Sequence, residues 1–217
     1  MRNIFSLNNK SGLAERKKTF EDRNKLFQEA GFDRVEAADF VVDSAGPLEG
    51  PALDVGTGKG TLARAIALRG IEVVSVDIDE DEQELARLLA LEAGVAEKIR
   101  FIHCDASSIP FPGGYFGCVA MMDALHHLEH PERILREMVR VLRPGGVFII
   151  ADFNEDGFDL VARVHGTEGR EHPRFPATVD GAVEKLIGIG LQRLKKTNGC
   201  FHHVAILKKE YKCIGTH

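Results

Sequence analysis

The stretch Leu53-Asp54-Val55-Gly56-Thr57-Gly58-Lys59-Gly60 decides how this chain of 217 residues is read. Ala52–Val55 is a short apolar run with strand character, the glycines interrupt it, and Gly60–Arg69 resumes with helical spacing. Glycines let a backbone approach a ligand closely and adopt positive φ. A loop at the carboxyl end of a first strand is where open α/β sheets bind their ligands. The spacing narrows the ligand. A dinucleotide fingerprint needs a third glycine where Thr61 stands, and a P-loop needs Ser or Thr where Gly60 follows Lys59. What stands here is D-x-G-x-G-x-G, and a carboxylate at Asp54 suits a ligand carrying positive charge better than a pyrophosphate.

Downstream of this loop, short apolar runs alternate with amphipathic ones. Glu72–Val76, Arg100–Cys104, Gly117–Met122 and Gly146–Phe153 read as strands, and Glu80–Ala93 and Pro131–Leu142 as helices. The β-α-β-α order predicts a mostly parallel sheet with right-handed crossovers and helices on both faces. Ala177–Ile189 reads as a further helix, and Leu191–Thr197 and Phe201–Lys208 as strands around Asn198-Gly199, a strong hairpin signal. A parallel sheet that finishes in a hairpin acquires one antiparallel strand. Arg163–Pro176 has no clear periodicity and reads as an irregular polar loop. Upstream, Leu13–Ala30 and Val35–Val42 are helical in pattern. Residues 1–48 are therefore expected to form a helical lead-in or lid, and residues 49–217 the binding domain.

The composition is that of a soluble globular α/β domain, 44% hydrophobic and 28% charged. A net charge of -5 disfavours binding of duplex nucleic acid through bulk charge. No apolar run approaches the roughly 18 residues of a membrane helix, and the first residues lack the apolar core of a secretory signal. Cys104, Cys118, Cys200 and Cys213 form no C-x-x-C pair. A cytoplasmic protein with buried or inert thiols, no metal and no membrane partner is the expectation.

Two more acids end the next strands, Asp77 in VVSVDID and Asp105 in FIHCDA. A carboxylate at the first position can accept both hydroxyls of a ribose, and at the second the amino hydrogen of an adenine. Asp54–Gly60, Asp77, Asp105-Ala106, the run IPFPGGYFGCVAMMDALHHL and the segment REMVRVLRPGGVFIIADF together resemble a class I S-adenosylmethionine-dependent methyltransferase. The likeness is to the small-molecule branch that includes ubiquinone and menaquinone biosynthesis methyltransferases. It implies a Rossmann-like seven-stranded sheet whose last strand is antiparallel. It also implies an enzyme that transfers the methyl group of S-adenosylmethionine to an O, N or C nucleophile of a small molecule. By the same resemblance Gly56, Thr57, Gly58 and Gly60 pass beneath the cofactor and Asp54 approaches its methionine end. Asp77 takes the ribose, Ile78 packs on adenine, Asp105 and Ala106 meet the adenine edge, and Asp123 or Ala124 lies near the methionine portion.

A sulfonium methyl is already activated, so the protein's task is orientation and exclusion of water. Were the acceptor a hydroxyl, a histidine matched to neutral pH could take its proton. His126 and His127 follow the fourth strand of the binding edge; His165 and His172 lie in the segment after the fifth. That segment, within an insertion spanning residues 154–177, is expected to build part of the acceptor pocket, with Glu168 as a polar contact and Phe158 and Phe175 as walls. His165, Glu168 and His172, with His126 or His130, also raise a metal-assisted alternative, opposed by Gly166 and Gly169 in any helix there. Arg133, Arg136, Arg140 and Arg143 form a helical stripe read as solvated, with an RNA or acidic-partner surface as its alternative. A non-catalytic cofactor-binding regulatory module and an RNA or protein methyltransferase are the remaining alternatives. The sequence leaves the oligomeric state open.

Overall fold

The computed structural model describes residues 7–167 and 174–211. Two helices, α1 (Leu7–Glu29) and α2 (Arg34–Ser44), precede β1 (Ala52–Val55). There follow α3 (Thr61–Leu68), β2 (Val73–Asp77), α4 (Glu80–Glu92), β3 (Ile99–His103), β4 (Phe116–Met122), α5 (Glu132–Val141) and β5 (Leu142–Phe153). The chain continues through α6 (Glu155–Thr167), α7 (Val179–Gly188), β6 (Leu191–Gly199) and β7 (His202–Lys209). The strands form one seven-stranded sheet in the order β3-β2-β1-β4-β5-β7-β6. The β1–β2, β1–β4, β2–β3 and β4–β5 pairs are parallel, while β7 runs antiparallel to β5 and β6. The order reverses between β1 and β4, which places the crevice of an open α/β sheet between Val55 and Met122.

Alternate side chains on each strand feed two cores. Ala52, Cys118, Ala120, Ile149 and Ile206 pack with Phe27, α2, α3 and α6 on one face. Leu53, Val55, Val119, Met121, Phe148 and Leu207 pack with α5 and α7 on the other. Central strands covered on both sides carry no polar stripe, and β4 is buried along its whole length. α1 lies over the first face, where Arg16 bonds Asp81 and Glu84 of α4 and Lys17 bonds Glu92 at 2.6 Å.

Two expectations are corrected. The stretch read as irregular from Arg163 is helical through Thr167, because α6 begins at Glu155 and buries Leu160, Val161 and Val164 against the sheet. That apolar spacing outweighs the helix penalty of Gly166. Glu168, Gly169 and His172 lie outside the described residues, as does Cys213. The hairpin exists, but its turn is Cys200-Phe201, with φ 46 and 63, and Asn198 and Gly199 belong to β6. Packing claims the two residues that the turn would have used. Asn154 donates to Asn198 Oδ1 at 2.9 Å, and a Cβ on Gly199 would sit 2.6 Å from the Phe40 ring.

β6 is an edge strand. Its residues from Gln192 to Lys196 are exposed, and its pairing with β7 shifts register between Arg193 and Lys195. Of the thiols, Cys118 is buried and pushed up to about 12 by that burial, whereas Cys200 is exposed.

The turn supplies a test. A side chain other than glycine, asparagine or aspartate is strained in the left-handed region by roughly 1–2 kcal/mol. Cys200→Asn is therefore expected to stabilise the chain by about 1 kcal/mol, a rise in Tm of roughly 2–4 °C in calorimetry. Phe201→Gly relieves the same strain but removes the ring that meets Phe32 at 5.7 Å, and is expected to lower Tm.

Candidate active site

The glycine loop turns on positive φ at Gly56 (83), Gly58 (46) and Gly60 (69). A Cβ on Gly56 would lie 2.8 Å from Ala124 Cβ, so the loop and the end of β4 close on each other only without a side chain there. Around Gly58 the same Cβ would meet nothing within 4 Å, which leaves the space above it open. The N–H groups of Gly56 and Thr57 both bond to Val76 O, Gly58 N–H to Asp77 Oδ2, and Gly60 N–H to Thr57 O. The donors that a phosphate-binding loop presents to its anion are spent here inside the protein.

Beneath the loop a chain of buried polar groups holds it in place. Gln83 Nε2 donates to Thr57 Oγ1 at 3.2 Å, Thr57 Oγ1 is 2.7 Å from Ser75 Oγ, and Ser75 Oγ donates to Asp54 Oδ2 at 2.7 Å. Asp54 is buried, and burial pushes its carboxyl up to about 7, with Asp77 adding repulsion and the Ser75 hydrogen bond opposing both. Asp77 accepts from Gly58 N–H and Asp79 N–H, each at 2.9 Å, and so fixes its carboxylate across the tips of β1 and β2. Ile78 beside it is 72% exposed, and its carbonyl lies 2.9 Å from His103 Nε2. Asp105 is exposed at the tip of β3, where a hydrogen bond from Ser107 N–H holds it below its ordinary value. Ala106 is partly buried against the second core.

On the other side of the crevice β4 ends at Asp123, whose φ is 55. Burial raises this carboxyl, but the His202 imidazole and Arg34 outweigh it and hold Asp123 below 3.8. His202 Nε2 lies 2.7 Å from Asp123 Oδ1 and its Nδ1 2.6 Å from Cys200 O. Both ring nitrogens face oxygens that only accept, so this fully buried ring carries two protons and a charge. His202 is raised above 6.5, burial opposing and Asp123 prevailing.

A second pair adjoins it. His126 is buried, its Nδ1 is 2.7 Å from Asp152 Oδ1, and its backbone N–H donates to Asp152 Oδ2 at 2.9 Å. The exposed His127 ring lies 4.0 Å from that of His126. Partial burial, then the neighbouring His126, hold His127 below its ordinary 6.5. The structure thus brings His126 and His127 together. His165, on α6, instead meets Phe27 edge-on at 6.5 Å, and His172 lies outside the described residues. Among the described residues no group of three or more metal-ligating side chains gathers. In the arginine stripe, Arg140 is bonded to Glu137 and Ile109 O, and Arg143 to Glu49.

Arg34, Asp152 and His202 were not singled out in the sequence. Arg34 comes from the lead-in, and His202 from the last strand. A signal did exist for Asp152, an acid inside the apolar run VFIIADF, since an acid there must be paired when buried.

The His202–Asp123 pair sets a pH window. His202, raised above 6.5, stabilises fully below that value and loses its contribution as pH climbs through its folded-state value. Asp123, lowered from 3.8, contributes above that value and loses it as pH falls. Urea unfolding of His202→Gln is expected to show a loss of roughly 3 kcal/mol between pH 4 and 6.5, shrinking on both sides of that window.

Residues 53–150 match the family described as methyltransferase domain. The ubiquinone/menaquinone biosynthesis C-methyltransferase UbiE of Ectopseudomonas mendocina is 36% identical over 132 residues, 59% of this chain and 52% of that protein. The chain thus spans about half the length of the curated relatives it matches. Among solved structures, the PH0226 protein of Pyrococcus horikoshii superposes with a TM-score of 0.70, covering 82% of this chain and 90% of that one at 21% identity. A SAM-dependent methyltransferase of Aquifex aeolicus superposes with 0.61, covering 81% and 89% at 21% identity. No helix among the described residues is long and apolar enough to cross a membrane. Over residues 53–150 the chain thus matches the methyltransferase domain family, and through that core it is similar to the ubiquinone/menaquinone C-methyltransferases.

Proposed function

We propose that this chain transfers the methyl group of S-adenosylmethionine to a small-molecule acceptor. The observation that carries the reading is the glycine loop itself. Its N–H groups are turned inward, its upper side is open at Gly58, and carboxylates stand at the tips of β2, β3 and β4. Such a site fits an uncharged nucleoside with a cationic sulfonium and repels a dinucleotide pyrophosphate. Asp77, with one lone pair of each oxygen engaged by the backbone, keeps acceptor capacity for two ribose hydroxyls. Gly56, Thr57, Gly58 and Gly60 form the floor, Ile78 and Ala106 flank the adenine, and Asp105 takes its amino group. Asp54 acts from beneath, through Ser75 and Thr57.

When bound, the cofactor would supply an electrophilic methyl carbon to the acceptor's electron pair, with its sulfur as the leaving group. The chain orients the two reactants and keeps water out, which contributes several kcal/mol to lowering the barrier. The described parts of residues 1–48 and 154–177 form the cover. A cavity of about 390 Å³ lined by Glu155, Phe158, Arg174, Phe175 and Pro176 opens there, and Phe158 also meets His126 edge-on at 5.3 Å. His127 is the histidine to receive an acceptor proton, because its ring is exposed on this edge and neutral at pH 7. The buried His126, with Nδ1 held by Asp152, positions it. The name of the relatives favours carbon as the acceptor atom.

Two measurements test this. Calorimetric titration is expected to show micromolar binding of S-adenosylmethionine and S-adenosylhomocysteine and none of NAD. Asp77→Ala is expected to lose roughly 10–100-fold in affinity for the first two, the weight of one or two hydrogen bonds to a charge. A folded sample silent towards both sulfur compounds would overturn the reading. For His127, NMR titration is expected to place ring protonation below pH 6.5. With an acceptor in hand, kcat/KM is expected to fall as pH drops through that midpoint, and His127→Asn to lose that acid limb.

A further inference from the structure

The cleft of about 390 Å³ between α6 and the segment leading into α7 is lined by Glu155, Phe158, Arg174, Phe175 and Pro176 among others. That volume lies within the roughly 300–1,000 Å³ of a site for one small molecule. The Phe175 N–H donates to His126 O at 2.9 Å, and the Phe158 ring meets that of His126 edge-on at 5.3 Å. Both walls are thereby fastened to the Leu125–His127 turn that follows β4. Phe175 stays 41% exposed, so its apolar surface is not used up by packing.

One cation stands among these apolar walls. The Arg174 guanidinium lies 4.6 Å from the centre of the Phe158 ring, a stacking contact that orients the fork. Among the described residues its only other partner is Glu155, whose Oε2 is 3.7 Å from Arg174 NH2. The two side chains are 48% and 83% exposed, and an exposed ion pair of that length contributes little. A neutral acceptor filling the cleft would take water from the guanidinium and give its N–H donors nothing in return, which is costly. A carboxylate matches the fork, accepting two parallel N–H groups at once.

We propose that this cleft selects a methyl acceptor of one chemical class, a flat apolar molecule bearing a carboxylate. The body of the acceptor lies on Phe175 and Pro176, and its carboxylate takes the fork of Arg174 from Glu155. Arg174 is thus a specificity-determining residue, and Glu155 a competitor for the same donors. The proposal rests on the S-adenosylmethionine reading above and names the acceptor class that the reading leaves open.

The probes are cinnamate and cinnamyl alcohol, which share a flat body and differ in the carboxylate. Their binding is followed by NMR titration of the full chain saturated with S-adenosylhomocysteine, so that the cofactor site is filled. Wild type is expected to bind cinnamate roughly 3–10-fold more tightly than the alcohol. In Arg174→Gln that preference is expected to vanish, with affinities for the alcohol and for S-adenosylhomocysteine within about twofold of wild type. Glu155→Gln is expected to tighten cinnamate by about twofold or more, since the competing charge is gone. Equal affinity for the two probes in wild type, or a preference that survives Arg174→Gln, would overturn the proposal. So would cinnamate binding that fails to tighten in Glu155→Gln, or a chain loaded with S-adenosylhomocysteine that binds neither probe. Each of those outcomes leaves the cofactor reading standing. A folded sample that takes up no S-adenosylhomocysteine would overturn that reading, and the acceptor class with it.

Discussion

The buried chain of hydrogen bonds from Gln83 through Thr57 and Ser75 to Asp54 is the constraint on which the site depends. Each hydroxyl has one proton to give, and the protons run in one direction, towards the carboxyl group. Gln83 belongs to α4, Thr57 to the glycine loop, Ser75 to β2 and Asp54 to β1, so one network locks three elements around the loop. Gln83 also donates to Ser75 O and Ile102 O, which extends the lock to β3. A net contribution of roughly 1 kcal/mol per bond is modest, whereas leaving any one of these buried groups unmade costs about 1–3 kcal/mol. The network therefore specifies the position of the loop more than it stabilises the fold. Gln83 Oε1 is the one buried oxygen of the set left without a partner.

Charge is distributed over the carboxyl edge with a sense of side. Asp77 and Asp105 stand at the tips of β2 and β3, Asp77 accepting from the backbone N–H groups of Gly58 and Asp79 and Asp105 from Ser107. Asp123 and Asp152, on the β4–β5 side, are each matched to an imidazole at 2.7 Å. The β2–β3 side of the edge is thus acidic and accessible, while the carboxyl groups of the β4–β5 side are each bonded to an imidazole that is itself buried. Lower effective dielectric on that side strengthens every remaining electrostatic interaction. The two sides of the edge differ in solvation as much as in residue type.

Most of the sheet was legible because its signals are local. The strands Ala52–Val55 and Phe116–Met122 are apolar runs that no other element accommodates, and the glycine spacing excludes the two common phosphate loops. What escaped is non-local. Asn198-Gly199 has the strongest turn preference in the chain, yet the ring of Phe40 needs Gly199 and the amide of Asn154 needs Asn198, so the turn moves on by two residues. The helix α6 was hidden by Gly166 and by the polar residues that follow it, although Leu160, Val161 and Val164 already had helical spacing. Arg34 and His202 converge on the crevice from either end of the chain, and no spacing in the sequence relates them to Gly56 or Asp123. The glycine loop and the acids after β2 and β3 are written in consecutive motifs; the group around Asp123 is assembled only by folding.

The register shift in β6 has a consequence for how the molecule meets its neighbours. A sheet that ends in a regular strand offers a row of unpaired N–H and C=O groups to any passing chain. Here that row is broken where the pairing slips between Arg193 and Lys195, and the exposed Arg193, Lys195 and Lys196 would have to surrender their hydration before another strand could dock. Lys196 is moreover held over the side of the sheet by Asp180 at 2.6 Å. The edge is thereby made a poor template for templated growth, and a hairpin that reads as the mere end of the fold acts as a guard against fibrous self-association.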